Sequence, residues 1–339
     1  MLIVLPGALP ASPPIADELA KRLPATAPTL HAWLRAAEAR AADFDPHDAG
    51  CTPYEAWQLA RAGFQPAPGQ QIGAGLGPLL AQATVDAPRA AGQAASPASR
   101  IAVPSFAPPD AVWIADLAHV ALSTESANLL PLEALSLSAE EDAALHESAR
   151  PLFAGTDFDA LPLAPGRWRM RLPADLRPRT ASPAAVGGQS LAGWWNQDAA
   201  VRPWRRLMNE IQMVWHDHPV NQSRADRGLP PVNTLWLYGG AAPWTPPAAA
   251  SAPPVQVVED LLPAYAAEDW GTWLQALQQL DARVLKPLSD ARGMPAGPTD
   301  ILLLGRDRRV DLTLKPRSRL LAWLPSSAKN WSAWWSPRA

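Results

Sequence analysis

Apolar positions along this chain fall into two rhythms. Short apolar runs of strand length occur at 2–5, 111–122, 167–172, 234–238, 301–304, 310–314 and 319–324. Between several of them apolar residues recur three and four apart, the spacing of a helix with one buried face. In PTLHAWLRAAEARAA (28–42) that stripe is Leu30, Trp33, Leu34 and Ala37. TPYEAWQLARAG (52–63) opens on Thr-Pro and stops at Gly63, a start and stop pair for a helix. SAEEDAALHESARPLF (138–153) has Glu141 three residues after Ser138, which predicts a capping box. PWRRLMNEIQMVW (203–215) sets Trp204, Leu207, Met208, Ile211 and Trp215 on one face, and 268–288 does the same with Trp270, Trp273, Leu274, Leu277, Val284 and Leu288.

Strands alternating with helices predict an α/β protein with a largely parallel sheet. ILLLGRDRRVDLTL (301–314) reads instead as an antiparallel hairpin turning near Asp307-Arg308. Two stretches rich in Ala, Pro and Ser, 81–110 and 241–256, read as linkers or insertions. They bracket a middle region, so the expected organisation is a core of 1–107 and 201–339 with 108–200 inserted as a smaller α+β region.

Composition narrows the function classes. The 339 residues are 48% hydrophobic and 18% charged, a globular balance. A net charge of −3 gives no electrostatic case for nucleic acid. No apolar run approaches the ~20 residues that span a bilayer. A single cysteine, Cys51, fits a reducing cytoplasm. The 39 prolines are over twice the usual ~5%, so connections should be stiff. The 16 tryptophans outnumber 5 Phe and 3 Tyr, and are expected mainly as core filling with the indole N–H partnered. WSAWWSPRA (331–339) is the exception. There Trp331, Trp334 and Trp335 share one helical face suited to a protein partner.

The densest chemistry lies in HDHPVNQSRADRGLPPVNTLWLYGG (216–240). Pro219 should end the preceding helix near His216, and Asp217 or His218 can cap a second helix that Gly228 stops. His216 and His218 are two apart with no third ligand nearby, a poor zinc set. His216, Asp217, His218, Asn221, Arg224 and Asn233 remain candidates for a small-anion pocket at the helix start. The competing reading is that Asp217, Asn221 and Asn233 satisfy backbone groups at a tight junction, and this is preferred.

That segment resembles the DHPVN…R…G…P-N…GG stretch of the archaeal-type cofactor-independent phosphoglycerate mutases of the alkaline phosphatase superfamily, and more closely the RpfE-type regulatory proteins. LIVLPG (2–7), PTLHAWLRAAEARAADF (28–44), AGCTPYEAWQLARAGFQP (49–66), LSLSAEEDAALHESARPLF with RWRMRLP, WLQALQQLDARVLKPL (273–288) and ILLLG (301–305) resemble further parts of the mutases. The resemblance implies an alkaline-phosphatase-like core. In the mutases two divalent cations and a phosphoryl-accepting serine carry the reaction, because a phosphoryl group in transfer needs its charge neutralised. Here Pro6 stands at the first metal-ligand aspartate, Cys51 (or Thr52) at the serine, and Gly305-Arg306-Asp307 at an Asp-His pair, while no histidine follows His218. The expectation is therefore a degenerate, non-catalytic relative without metal or other cofactor, with a regulatory or small-anion-binding role. It would take a phosphorylated or other anionic ligand, with Cys51 inert at the nucleophile-like position. The alternatives are an active mutase or metal-dependent phosphatase using a divalent pair, and a Trp-rich interaction module.

Overall fold

In LIVLP (2–6) nothing alternates, as expected for a strand covered on both faces. In the computed structural model, which describes residues 1–10, 12–86, 111–122, 126–194, 198–244, 254–314 and 331–336, this run is an interior strand of a five-stranded sheet. The elements begin with β1 (Leu2–Pro6), α1 (Pro13–Thr26), α2 (Pro28–Ala36), β2 (Glu38–Asp43), α3 (Pro46–Ala49), α4 (Pro53–Arg61) and α5 (Leu76–Asp86). There follow β3 (Val112–Leu122), β4 (Ala127–Leu130), α6 (Ala139–Phe153), β5 (Asp159–Ala164), β6 (Arg167–Arg171) and α7 (Pro183–Val186). Next come α8 (Arg202–His216), α9 (Pro219–Asp226), β7 (Thr234–Ala241) and β8 (Val255–Val257). The last are α10 (Leu262–Ala266), α11 (Trp270–Leu280), β9 (Thr299–Leu304), β10 (Arg308–Leu314) and α12 (Ser332–Trp335). The expected strand at 319–324 and most of the 81–110 and 241–256 stretches lie outside the described residues. No helix among the described residues is long and apolar enough to cross a membrane.

The chain forms two compact units, the first comprising 1–46, 52–57 and 248–339, the second 47–51 and 58–247. The boundary departs from the expected one: 58–86 and 201–247 belong with the middle region. The reason is β7, which pairs with β3 from Val112 to Ala118 and takes its flanking helices with it.

The first unit's sheet runs β2-β10-β9-β1-β8. One face buries Ile3, Leu5, Ile301 and Leu303 against α1, α2 and α11, and the other packs Val4, Leu302 and Leu304 on Tyr54 and Trp57. The helix expected over 28–42 stops at Ala36, because its apolar stripe runs out at Ala37. Residues 38–43 instead pair antiparallel with β10, an exposed edge strand whose ladder overrides helix-favouring Glu and Ala. Asp281, buried in the turn after α11, accepts hydrogen bonds from Leu30 N (2.7 Å) and Thr29 N (3.3 Å) at the start of α2. Asp281→Ala should strand these amides and cost about 1–3 kcal/mol by denaturant titration. A loss below ~0.5 kcal/mol would show that water replaces the carboxylate.

The second unit's sheet is antiparallel throughout its described pairs, with β5, β6 and β3 side by side, β7 on the far edge of β3 and β4 along the end of β3. One face carries Trp113, Ala115, Leu117, Trp168 and Met170 into a core closed by α6 and α8. The molecule is thus α/β with mixed sheets, not one built on a largely parallel sheet. Among the described pairs only β1–β8 and β1–β9 are parallel. Apolar periodicity sets a strand's buried face but is blind to its direction. The 301–314 hairpin forms as β9 and β10. Among the described residues five indoles are fully buried, Trp33, Trp168, Trp215, Trp273 and Trp335, and each donates from Nε1 to an internal acceptor. Core filling is therefore a main use of tryptophan here.

Candidate functional site

In the 216–240 segment the buried stripe of α8 ends on Trp215. His218 caps α9, its Nδ1 accepting from Val220 N at 3.2 Å, and partial burial lowers its pKa. His216 and Asp217 point into solvent, 83% and 91% exposed, with 3.9 Å between their charged atoms. Asn221 is buried. Its amide donates to Trp215 O (2.7 Å) and Val232 O (2.8 Å), and its oxygen accepts from Val232 N (2.8 Å). Asn233 works the same way one strand over, accepting from Val120 N (2.7 Å) and donating to Val120 O (3.0 Å), an extra rung on β3.

Arg224 is fully buried and every guanidinium nitrogen is engaged, with Pro230 O at 2.8 Å, Leu135 O at 2.6 Å and Glu141 Oε2 at 2.9 Å. Glu141 also pairs with Arg227 and accepts from Ser138 N, completing the predicted capping box at the start of α6. Burial works to raise the Glu141 pKa, but the Ser138 amide and the two arginines outweigh it and hold the carboxyl below its ordinary value of 4.5. The two glycines closing the motif are steric. Gly239 has φ +94° and faces the Gly77 backbone, and a Cβ on Gly240 would lie 2.5 Å from the Trp113 ring. The six candidate side chains therefore do not converge. Asn221 ties the end of α8 to Val232 just before β7, Asn233 bonds β3, Arg224 ties α9 to α6 and His218 caps α9, while His216 and Asp217 face solvent.

Cys51 is fully buried. Its segment is pressed against residues 180–182: Gly50 O accepts from Ser182 N at 3.0 Å, and a Cβ on Gly50 would sit 2.6 Å from Thr180 O. Thr52 Oγ1 donates to Glu55 Oε2 (3.0 Å) and accepts from Glu55 N (3.2 Å), a capping box at the start of α4. Among the described residues no group of three or more His, Cys, Asp or Glu stands where it could hold a metal ion. At the carboxyl end of β9, Arg306 approaches Glu268 at 3.5 Å, and Asp269 caps α11 through Thr272. Trp335 belongs to the core of the first unit and only Trp331 and Trp334 are partly exposed, Trp331 lying edge-on to His31.

A concave site lies on the strand that closes that motif rather than at its helix start. A half-open cleft of about 90 Å³ is floored by Thr234, Leu235, Trp236 and Leu237 of β7 and walled by Trp204, Arg205 and Met208 of α8, Pro178–Ala181 and Trp194. Trp236 Nε1 donates to Ala181 O at 2.8 Å, fixing that indole against the wall. Trp194 is held by His47, whose ring stacks on it at 4.6 Å and whose Nε2 meets Gly193 O. Gln71 ties the same loop down, donating to His47 O (3.2 Å) and accepting from Thr180 N (3.1 Å). Among the described residues the charged side chains lining the cleft are Arg179 and Arg205, and Arg179 approaches exposed Asp48 at 3.5 Å. The arrangement offers apolar indole faces to a ligand's body and guanidinium forks to an oxyanion. Sequence reasoning missed Arg179, Trp194 and Arg205 as a set, since residues this scattered share no spacing.

No protein-family model matches the sequence, and no curated protein matches it at a significant level. Solved structures similar to the chain include the cofactor-independent phosphoglycerate mutase from Thermoplasma acidophilum, at 14% identity and a TM-score of 0.34 over 99% of this chain and 95% of that one. The PH0037 protein from Pyrococcus horikoshii is similar at 13% identity and a TM-score of 0.40, over 94% and 87%. The similarity to phosphoglycerate-mutase-like proteins is thus distant.

Proposed function

We propose that this is a ligand-binding protein whose site is the indole-and-arginine cleft of the second unit, and that it does not carry out phosphoryl transfer. The observation that carries the reading is the lining itself, with Trp194, Trp204 and Trp236 around two guanidinium groups and no carboxylate among the described lining residues. The ligand is a small anion, a carboxylate or phosphate on a short carbon body. At about 90 Å³ the cleft is smaller than the roughly 300–1,000 Å³ of drug-sized sites, which favours a small ligand. The buried Cys51 and the Pro6, Gly305, Arg306 and Asp307 substitutions support the non-catalytic half.

Calorimetric titration with acetate, lactate, inorganic phosphate and a phosphorylated three-carbon acid tests the proposal. At least one should bind the wild type. Arg205→Gln should weaken it about 10- to 100-fold, the value of one charge-assisted hydrogen bond. No binding by any of the four, or equal binding by Arg205→Gln, contradicts the cleft. About two manganese or zinc ions retained per purified chain, with turnover of a phosphate ester, contradicts the non-catalytic half.

A further inference from the structure

Burial grades across the indole cleft. Its β7 floor is nearly closed to solvent, with Leu235, Trp236 and Leu237 between 2% and 8% exposed. Trp194, Trp204 and Arg205 on the walls are half-buried. Arg179 stands at the outer edge with 62% of its side chain exposed. It approaches the carboxylate and the backbone oxygen of Asp48, both at 3.5 Å. That carboxylate is 85% exposed, and an ion pair in solvent is worth little, so a ligand anion can compete for the guanidinium. The indoles are set by the protein itself. Trp236 donates its N–H to Ala181 O, so ring carbon is what it offers. Trp194 lies within 29° of parallel to the His47 ring at 4.6 Å, which holds its plane. Trp204 leans on Phe158 at 6.0 Å.

Granted the cleft as the ligand site, on which this rests, we propose that its occupant is an aromatic monocarboxylate, one planar ring bearing one carboxylate. The gradient orients such a molecule, with the ring against the buried apolar floor and the carboxylate toward the arginines. Three indoles favour a flat ring, because aromatic pairs add about two- to twelvefold in affinity beyond the area they bury. Met208 and Val201 add an aliphatic wall, and a methionine sulfur also favours an aromatic neighbour. Guanidinium groups meet a planar carboxylate fork to fork and also stack on ring faces, so both modes of arginine contact suit this class. A closed cavity of about 150 Å³ holds benzene. A half-open one of about 90 Å³ suits a single ring with its charged edge left outside. Inorganic phosphate would leave the apolar floor to water.

Benzoate is the probe, titrated calorimetrically into the full chain beside acetate, inorganic phosphate and cyclohexanecarboxylate at fixed ionic strength. Benzoate should bind about tenfold or more tightly than acetate, the gain from burying one ring. It should bind about two- to twelvefold more tightly than cyclohexanecarboxylate, which matches it in carbon number and charge but is not flat. Trp194→Leu/Trp204→Leu should erase the preference for the flat ring and leave acetate binding unchanged. The assignment is overturned if acetate, phosphate or cyclohexanecarboxylate binds as tightly as benzoate, or if the double variant with unchanged Tm keeps the preference. Equal binding of acetate and benzoate that Arg205→Gln weakens removes the ring and leaves the cleft as an anion site. Failure of every one of these anions to bind removes both.

Discussion

Arg224→Ala is expected to lose about 3–5 kcal/mol of unfolding free energy, because it removes one member of a buried ion pair and leaves the rest of the network unpaired. The side chain is wholly inaccessible and joins α9 to Glu141 of α6, to Leu135 O and to Pro230 O. Few single residues tie together so many parts of the second unit. Denaturant titration of both proteins measures the difference, and a loss under ~1 kcal/mol would mean that the junction does not depend on this clamp. The effect should also depend on pH. Glu141 has a lowered pKa in the folded chain, so its contribution is complete above the ordinary carboxylate range and is lost as pH falls through the folded value. The gap between wild type and Arg224→Ala should therefore narrow in acid, where a protonated Glu141 no longer rewards the arginine.

Trp215→Ala carries the second large expectation, a loss of about 3–5 kcal/mol from emptying a core position. The indole is fully buried, meets Trp168 edge-on at 5.9 Å and donates to Leu145 O and Ser148 Oγ, both at 3.2 Å. Trp215→Phe keeps most of the apolar area but removes the donor, and should cost about 1–3 kcal/mol. Equal losses for the two variants would assign the whole effect to the hydrogen bonds rather than to packing. Because Trp215 O also accepts from Asn221, backbone shifts in the alanine variant should loosen the start of α9. Hydrogen exchange over 219–226 reads that directly.

Much of the local structure was legible in the sequence because its causes are local. The Ser138–Glu141 box, the stripe of α8, the cap and Gly228 stop of α9 and the 301–314 hairpin each rest on residues within a few positions of one another. The preference for architecture in the 216–240 segment came from the same source, short polar side chains among Pro and Gly. What the sequence hides is the direction of strands and the meeting of distant segments. Glu38–Asp43 reads as helix until β10 supplies a partner over 260 residues away. The cleft joins Arg179, Trp194, Arg205 and Trp236, and no periodicity connects them. The tryptophan excess was informative about packing but silent on which indoles face a cavity.

The most direct test of the central claim is an indole N–H spectrum of the full chain, with Trp194, Trp204 and Trp236 assigned by single replacement with phenylalanine. It is followed during titration with the tightest-binding small anion. Binding in the cleft moves the Nε1 resonances of those three residues and leaves the core indoles of Trp33, Trp273 and Trp335 in place. Saturable binding that leaves all three unmoved while the amides of His216–Asn221 shift would contradict it, and would return the ligand to the motif assigned here to architecture.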